Sequence, residues 1–189
     1  MKESLERTEL VYPDYKEKYW IRTDTYNLRI DMHIGWDNMP LVKQGKIMDW
    51  GCSEGMTTIE LSLIYPHCDI LGIDVNPLVI ELAKNRTNER VHFMEADGYE
   101  LHFPPKAFNA IFCMNNLGPA YYCSEKDNKF FKKVIKSLGN IIADDGILFV
   151  SQDDHFAYGK KLSNQFEITK SSPNVYPKIF SELLSLYNE

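Results

Sequence analysis

The sequence of 189 residues contains few cysteines, no long apolar run and no excess of positive charge. Its four cysteines form no C-x-x-C pair and have no histidine at zinc-finger spacing, so no metal site is predicted. No stretch approaches the ~18 apolar residues that a membrane span needs. The charged N-terminus also lacks the apolar stretch of a secretory signal. We therefore expect a reduced, cytoplasmic protein that makes no membrane contact.

The charge balance is acidic, with 21 Lys and Arg residues against 27 Asp and Glu residues and a formal net charge of -6. A broad phosphate-binding surface needs the opposite sign, so nucleic acid is not expected as a partner. Repeats and low-complexity tracts are missing, and the length suits one domain over 1–189. We divide it into an aromatic lead segment (1–45), a regular core (46–151) and a C-terminal part (152–189).

The core alternates short apolar runs with segments of helical periodicity. Strands are predicted over 46–50, 69–73, 91–94, 107–114 and 146–151, and helices over 56–65, from Pro77 onward and over 126–142. Asn76 is the predicted N-cap of the second helix, and Ile59 and Leu63 are the predicted apolar face of the first. The apolar register of the last helix comprises Phe130, Val134, Leu138 and Ile142. This alternation predicts an α/β fold, a doubly wound, mostly parallel sheet with helices on both faces.

The turn after the first predicted strand is the best candidate for a ligand site. Ligands of doubly wound sheets bind at the carboxyl ends of the strands, near the point where strand order reverses. Gly51 and Gly55 flank a tight turn there, and the next helix offers N–H groups to an anionic group. The spacing is not the G-x-G-x-x-G of dinucleotide sites. Asp49 opposes a pyrophosphate but suits a ligand with ammonium and sulfonium groups, which disfavours a nicotinamide-binding reductase.

The run from 49 to 55 resembles motif I of the class I S-adenosylmethionine-dependent methyltransferases, usually written D-x-G-C-G-x-G. The matching residues are Asp49, Gly51, Cys52 and Gly55. Ser53 replaces the middle glycine, and Asn109 stands where the family usually has an Asp. The resemblance extends over 46–151 and implies a Rossmann-like fold, S-adenosylmethionine as cofactor and S-adenosylhomocysteine as product. It also implies two last antiparallel strands from the C-terminal part, where 166–169 is a predicted strand and 178–187 is either strand or helix.

Later segments fit the same family pattern. Asp74, about 20 residues past the loop, stands where the family's acid accepts hydrogen bonds from both ribose hydroxyls, with Val75 beside it. The segment Ala96-Asp97-Gly98 follows the third predicted strand, where the family's Asp meets the adenine amino group. Asn115 follows the fourth strand, and we expect it either near the methionine end of the cofactor or as a cap of the next helix.

Methyl transfer from a sulfonium is an in-line displacement, which depends on holding the acceptor close and aligned. A general base is needed only for an acceptor that retains a proton. The catalytic candidates are His155 and Tyr121. His155 follows Asp153 and Asp154 and is either a base or part of an exposed polar loop. Tyr121 lies in the segment after the fourth predicted strand.

The lead segment is rich in aromatic residues, namely Tyr12, Tyr15, Tyr19, Trp20, Tyr26 and Trp36. It either folds over the cofactor as a lid or buries these rings against the sheet or a second subunit of a homodimer. Ile30 and Ile34 predict a helix that ends near Gly35. A small-molecule acceptor is expected, because the chain is acidic and leaves no room for a recognition domain. The alternatives are methylation of a protein or RNA with a partner subunit, and a catalytically silent domain that retains the cofactor.

Overall fold

The computed structural model describes residues 30, 34–98, 100–116, 128–152, 155–163 and 165–172, without the side chains of 128–133, 152 and 155. The strands are β1 (Gly45–Trp50), β2 (Cys68–Asp74), β3 (Val91–Glu95), β4 (Phe108–Met114), β5 (Ile142–Gln152), β6 (His155–Leu162) and β7 (Gln165–Ser171). The helices are α1 (Met56–Ile64), α2 (Pro77–Lys84) and α3 (Asn128–Ile141), and Trp36–Asn38 form one 3-10 turn. Within these residues, no helix is long and apolar enough to cross a bilayer.

The strands form one sheet in the order β3-β2-β1-β4-β5-β6-β7. The pairs from β3 to β5 are parallel, and β6 and β7 add an antiparallel hairpin at one edge. The chain moves outward from β1 to β3 and then returns to β4 on the other side of β1, so strand order reverses between β1 and β4. The predicted doubly wound, mostly parallel α/β fold is therefore confirmed. For such a sheet, ligands are expected at the carboxyl ends of the strands, beside the end of β1.

Helices cover both faces of the sheet, as predicted. On one face, Val134 and Leu138 of α3 pack with Ile111 and Leu148 of β4 and β5. On the other face, Leu61 of α1 and Ile80 of α2 belong to a second cluster, which also includes Ile47, Ile70, Phe112 and Phe149. Buried apolar side chains on both faces explain why the central strands read as almost continuous apolar runs.

The buried face of α1 differs from the predicted one. Leu63 is 57% exposed, and the helix instead buries Leu61 together with the polar residues Thr58, Glu60 and Ser62. Ile59 is only partly buried. Each of the three polar side chains forms a hydrogen bond, to Asp49, to the lead segment and to the backbone of α1 respectively. Apolar periodicity failed here because satisfied polar groups occupy the buried face.

The last predicted helix ends earlier than expected. Ile142 is the first residue of β5, where it pairs with Phe108, so β5 begins before the predicted position at 146. Lys161 of β6 holds this end of the helix: its Nζ donates to Gly139 O in the last turn and to Ile142 O just after it, at 2.7 and 3.0 Å. Val134 and Leu138 are buried as predicted. The predicted start of the helix at 126 and the side chain of residue 130 lie outside the described residues.

Two antiparallel strands end the sheet, as the resemblance implied. The predicted strand 166–169 lies within β7, but β6 was not predicted as a strand. Two consecutive lysines interrupt its apolar pattern. Lys160 is exposed, whereas Lys161 is buried and donates to Gly139 O near the end of α3. Residues 178–187, left open between strand and helix, lie outside the described part of the chain.

Candidate functional site

The loop between β1 and α1 is a tight turn fastened to the neighbouring strand. Gly51, Ser53 and Gly55 all have positive φ, at 76°, 52° and 83°. The N–H groups of Gly51 and Cys52 both donate to Ile73 O at 2.8 Å. Ser53 holds the left-handed conformation that favours glycine, which explains why the family's motif usually has glycine at this position.

The loop also requires glycine for space at its second end. Gly55 precedes α1 as its N-cap, and a Cβ there would lie 2.5 Å from the ring of Phe93 on β3. Phe93 is buried in the core, so it cannot move aside easily. The glycine therefore lets the start of α1 lie directly against the sheet.

Asp74, the last residue of β2, joins three segments of the predicted site. Its Oδ2 accepts from Ser53 N at 3.0 Å, and its Oδ1 accepts from Asn76 N at 2.9 Å. The N–H of Ala96, after β3, donates to the Asp74 backbone carbonyl at 3.0 Å. Because both carboxylate oxygens accept from backbone N–H groups and Asp74 is only 6% exposed, the carboxylate is held in place at the carboxyl edge of the sheet. Val75 follows it and is half-buried.

The start of α2 after this turn is formed as predicted. Asn76 Oδ1 accepts from Leu78 N at 2.9 Å, and Pro77 occupies the first helical position. The cap satisfies one of the N–H groups that a helix N-terminus leaves unpaired. Asn76 thus contributes its side chain to α2 and its backbone N–H to Asp74.

Asp49 lies inside the protein beneath the loop. It is 1% exposed, and Thr58 Oγ1 of α1 donates to its Oδ2 at 2.7 Å. Burial, and to a smaller extent the nearby Asp74, raise the pKa of Asp49 to about 7, against the lowering effect of the hydrogen bond from Thr58. Burial and the same two carboxylates raise the pKa of the Cys52 thiol, so Cys52 stays protonated. A direct contact of Asp49 with the cofactor stays a prediction.

The segment after β3 carries the predicted adenine contact. Asp97 and Gly98 are half-buried, and Glu100 N donates to Asp97 O at 3.0 Å, which closes a turn. A side chain at Gly98 would overlap the indole of Trp50, the last residue of β1. The structure therefore brings Ala96, Asp97 and Gly98 to the same sheet edge as the β1–α1 loop.

The segment after β4 brings two consecutive asparagines to the carboxyl edge of the sheet, and the expected role of the first, Asn115, stays a prediction. Asn115 has φ 57° and donates its backbone N–H to Ser151 O on β5 at 2.9 Å. Asn116 lies against the loop between β1 and α1. Its Nδ2 donates to Trp50 O, and a Cβ at Gly51 would lie 2.5 Å from that nitrogen. Asn116 is not among the residues predicted from the motif, although two consecutive Asn residues at a strand end were a usable signal.

Only one of the two catalytic candidates lies within the described residues. His155 is the first residue of β6 and pairs with Gln152 at the end of β5. Its backbone therefore lies at the carboxyl edge in a strand, and its side chain is outside the description. Tyr121 lies outside the described residues altogether. The roles of both stay predictions. Within the described part of the chain, no cluster of three or more His, Cys, Asp or Glu residues could hold a metal ion.

Asn109, the other departure from the family pattern, lies away from this edge. It is near the start of β4, and its Oδ1 accepts from Lys46 N at 2.9 Å near the start of β1. A Cβ at Gly45 would overlap the same Asn109 side chain. Asn109 therefore links the amino ends of two neighbouring strands, and this link explains its presence without reference to the cofactor.

The described end of the lead segment packs on the core. Ile30 and Ile34 are buried, and Gly35, with φ 79°, donates its N–H to Ile30 O at 2.8 Å, as expected for a helix that ends there. The buried Glu60 of α1 accepts from Ile30 N at 2.8 Å and from Trp36 Nε1 at 2.9 Å. Residues 12–26, which carry the other aromatic rings of this segment, lie outside the described part.

Known proteins similar to this chain include methyltransferases and a synthase of a carboxylated S-adenosylmethionine. The sequence model of the family described as "Methyltransferase domain" matches residues 47–140. The carboxy-S-adenosyl-L-methionine synthase of Nautilia profundicola is 29% identical over 177 residues, covering 84% of this chain and 67% of that protein. The malonyl-[acyl-carrier protein] O-methyltransferase of Legionella pneumophila is 32% identical over 69 residues, covering 35% of this chain and 24% of that protein.

The solved structure of Haemonchus contortus phosphoethanolamine N-methyltransferase 2 with S-adenosyl-L-methionine is similar in fold. The TM-score is 0.57 at 16% identity, covering 76% of this chain and 34% of that chain. The chain thus spans two thirds of the synthase, about a third of the phosphoethanolamine methyltransferase and about a quarter of the Legionella protein. The sheet order, the loop geometry and these similarities agree. The chain belongs to the class I S-adenosylmethionine-dependent methyltransferases, whose cofactor is S-adenosylmethionine.

Proposed function

We propose that this chain transfers the methyl group of S-adenosylmethionine to a small-molecule acceptor. The observation that carries the proposal is the Asp74 carboxylate, held by the N–H groups of Ser53 and Asn76 at the carboxyl end of β2, the strand next to β1. This is the position where the family's acid accepts hydrogen bonds from the ribose hydroxyls. Charge-assisted hydrogen bonds of this kind are among the stronger ones in proteins.

The residues around Asp74 fit the remaining parts of the cofactor. The α1 N-terminus, after Gly55, presents backbone N–H groups suited to the methionine carboxylate. Asp97 stands at the adenine side, and Asn116 lies beside Gly51 at the other side. When bound, S-adenosylmethionine supplies an electrophilic methyl group on a sulfonium sulfur. The chain's own contribution is to orient both reactants in line and to exclude water.

The small-molecule acceptor is the finer part of the proposal. The net charge of -6 disfavours a polyanionic substrate such as RNA. The Legionella relative acts, by its name, on a malonyl group attached to a carrier protein. We therefore expect an acceptor whose reacting group is small, with His155 or Tyr121 as the residues to test as bases.

A second candidate is a reaction on the cofactor itself. The Nautilia relative matches 84% of this chain, far more than the Legionella methyltransferase does, and by its name it makes carboxy-S-adenosyl-L-methionine. Such a product needs a carboxyl donor instead of a methyl acceptor. Incubation with S-adenosylmethionine and a small-metabolite extract separates the two, because mass spectrometry distinguishes a carboxylated cofactor from S-adenosylhomocysteine plus a methylated metabolite.

Isothermal titration with S-adenosylhomocysteine tests the binding site. Asp74→Ala should weaken binding by about 1–3 kcal/mol, because the ribose hydroxyls lose a buried charged acceptor. Asp69→Ala is the matched control, since Asp69 is an exposed acid on the same strand. If the folded wild-type chain does not bind, or if both variants lose the same affinity, the proposed site is wrong. Binding without turnover on any metabolite would favour a silent domain.

A further inference from the structure

We propose that Trp50 is a positioning residue that shapes the adenine side of the cofactor pocket and so sets its selectivity for the purine. The inference rests on the proposed cofactor site but concerns a residue outside the ligand contacts. Trp50 lies between Asp49 and Gly51, at the carboxyl end of β1, and is 4% exposed. Its side chain belongs to the buried cluster that also contains Val134 and Leu138 of α3.

The indole lies directly against Gly98. The three atoms nearest to a Cβ built on Gly98 all belong to the Trp50 ring, namely Nε1, Cε2 and Cζ2. The positive-φ glycines of the described residues are Gly35, Gly45, Gly51 and Gly55, and Gly98 is not among them. Backbone conformation therefore does not demand glycine at 98. The close approach of the indole does.

The described residues of the segment 96–101 are held on both sides of Gly98. Ala96 and Leu101 pack against the cluster that contains Trp50. Ala96 N donates to Asp74 O, and Glu100 N donates to Asp97 O, so Asp97 lies in a turn between two packed residues. A large, rigid ring in a close-packed interior determines the path of the backbone that lies on it. The position of Asp97 therefore depends on the size of residue 50.

Trp50 also touches the opposite side of the pocket through its backbone. Its carbonyl accepts from Asn116 Nδ2, and Asn116 lies over Gly51. One residue thus contacts the segments after β3 and after β4, while its neighbours form the loop after β1. We infer that shortening the side chain lets the segment 96–101 collapse toward β1 and moves Asp97 away from the purine.

The test compares S-adenosylhomocysteine with S-inosylhomocysteine, in which a carbonyl replaces the adenine amino group. If Asp97 reads that amino group, the wild-type chain should prefer the adenosyl compound by roughly tenfold or more, since the analogue loses a charge-assisted hydrogen bond. Trp50→Leu should bring this ratio close to one while S-inosylhomocysteine still binds. Ile111→Ala, a cavity in the same cluster on β4, is the control and should leave the ratio unchanged.

Gly98→Ala provides a second variant that keeps Trp50 in place. The added methyl group should push the segment 96–101 away from the indole and reduce the preference for S-adenosylhomocysteine over S-inosylhomocysteine. The double variant with Trp50→Leu should recover part of that preference, because it lacks the ring that the methyl group would meet. If Trp50→Leu does not fold, Gly98→Ala decides alone. Wild-type ratios in the folded variants would overturn the inference and leave the proposed function intact.

The wild-type measurement separates the remaining outcomes. Equal binding of the two compounds by the wild-type chain would mean that the purine amino group is not read, and the inference alone would fail. Binding of neither compound would remove the proposed function and the inference with it. Preference for the adenosyl compound, lost in both single variants, would support both.

Discussion

Burial raises the pKa of Asp49, the acid that precedes the loop between β1 and α1. Its pKa rises from 3.8 to about 7, mainly because the carboxyl group is removed from water. The folded state therefore keeps a proton that the unfolded chain releases. This carboxyl contributes stability that is fully present below pH 3.8 and is lost as pH rises to about 7, a change on the order of 4 kcal/mol.

Asp49→Asn should remove this pH dependence. An asparagine has no proton to lose, and its Oδ1 can still accept the hydrogen bond from Thr58. Urea unfolding between about pH 4 and about pH 7 should show the free energy of unfolding falling less steeply in the variant than in the wild type. Asp69→Asn, on the exposed side of β2, should keep the wild-type slope. An unchanged slope in Asp49→Asn would show that another group titrates.

Single residues of the site were predicted from sequence where motif and spacing define a position. Asp74 and the Gly51 loop lie together as expected, because an acid after a second strand and a turn after a first meet at one edge. The contact between Trp50 and Gly98 could not be predicted, since it joins positions almost fifty residues apart through side-chain packing. Asn116 was missed because its neighbour Asn115 fits the same pattern.

At the scale of elements, a buried lysine holds the end of α3. Lys161 on β6 is 5% exposed, and its ammonium donates to Gly139 O and Ile142 O. A cation at a helix C-terminus also interacts favourably with the helix dipole. Lys161→Met retains the apolar stem but leaves two carbonyls without this donor, so the free energy of unfolding should fall by about 1–3 kcal/mol.

Lys160→Met is the matched control for that change. Lys160 is the adjacent residue on β6, is exposed, and forms an ion pair with Asp145 at 3.1 Å. Exposed ion pairs contribute little, so this variant should lose no more than about 0.5 kcal/mol in chemical denaturation. Equal losses in the two variants would argue that general charge, and not the capping of α3, accounts for the effect.

The lead segment and α1 form a second inter-element contact, through Glu60. Its two oxygens accept from Ile30 N and Trp36 Nε1. Glu60→Gln replaces one acceptor with a donor, so the Ile30 amide should exchange with solvent roughly tenfold faster, measured by hydrogen–deuterium exchange. Glu81→Gln, at an exposed acid on α2, should not change that rate. No acceleration in Glu60→Gln would show that apolar packing of Ile30 alone holds the segment.

Element boundaries were predictable where local chemistry fixes them. Asn76 and Pro77 begin α2 by a cap that is visible in the sequence. The end of α3 was not predictable, because the group that terminates it, Lys161, comes from a strand twenty residues later. The buried face of α1 was predicted wrongly for a related reason: Thr58 and Glu60 are buried by partners on β1 and in the lead segment, which no local pattern reveals.

On the scale of the whole molecule, the proposed cofactor contacts lie in the parallel part of the sheet. The loop between β1 and α1 follows the first of these strands, Asp74 ends β2, and Asp97 lies just after β3. The hairpin of β6 and β7 lies beyond β5 and extends the sheet away from them. The alternation of strands and helices predicted the parallel part, since its central strands β1 and β4 are almost continuous buried apolar runs. It could not predict β6, because Lys160 and Lys161 interrupt the apolar pattern of that strand.

This division predicts a localised response to the ligand. S-Adenosylhomocysteine at 100 times its Kd stabilises the folded state by about 2.7 kcal/mol. Amides that exchange only when the site opens, such as Ser53 N and Asn76 N on the Asp74 carboxylate, should gain that protection. The edge strand β7, whose side chains are mostly exposed, exchanges by local opening that leaves the site intact. Its amides should be unaffected in hydrogen–deuterium exchange, and Asp74→Ala should abolish the difference between the two regions. Protection of β7 without protection of Ser53 and Asn76 would place the ligand elsewhere on the molecule.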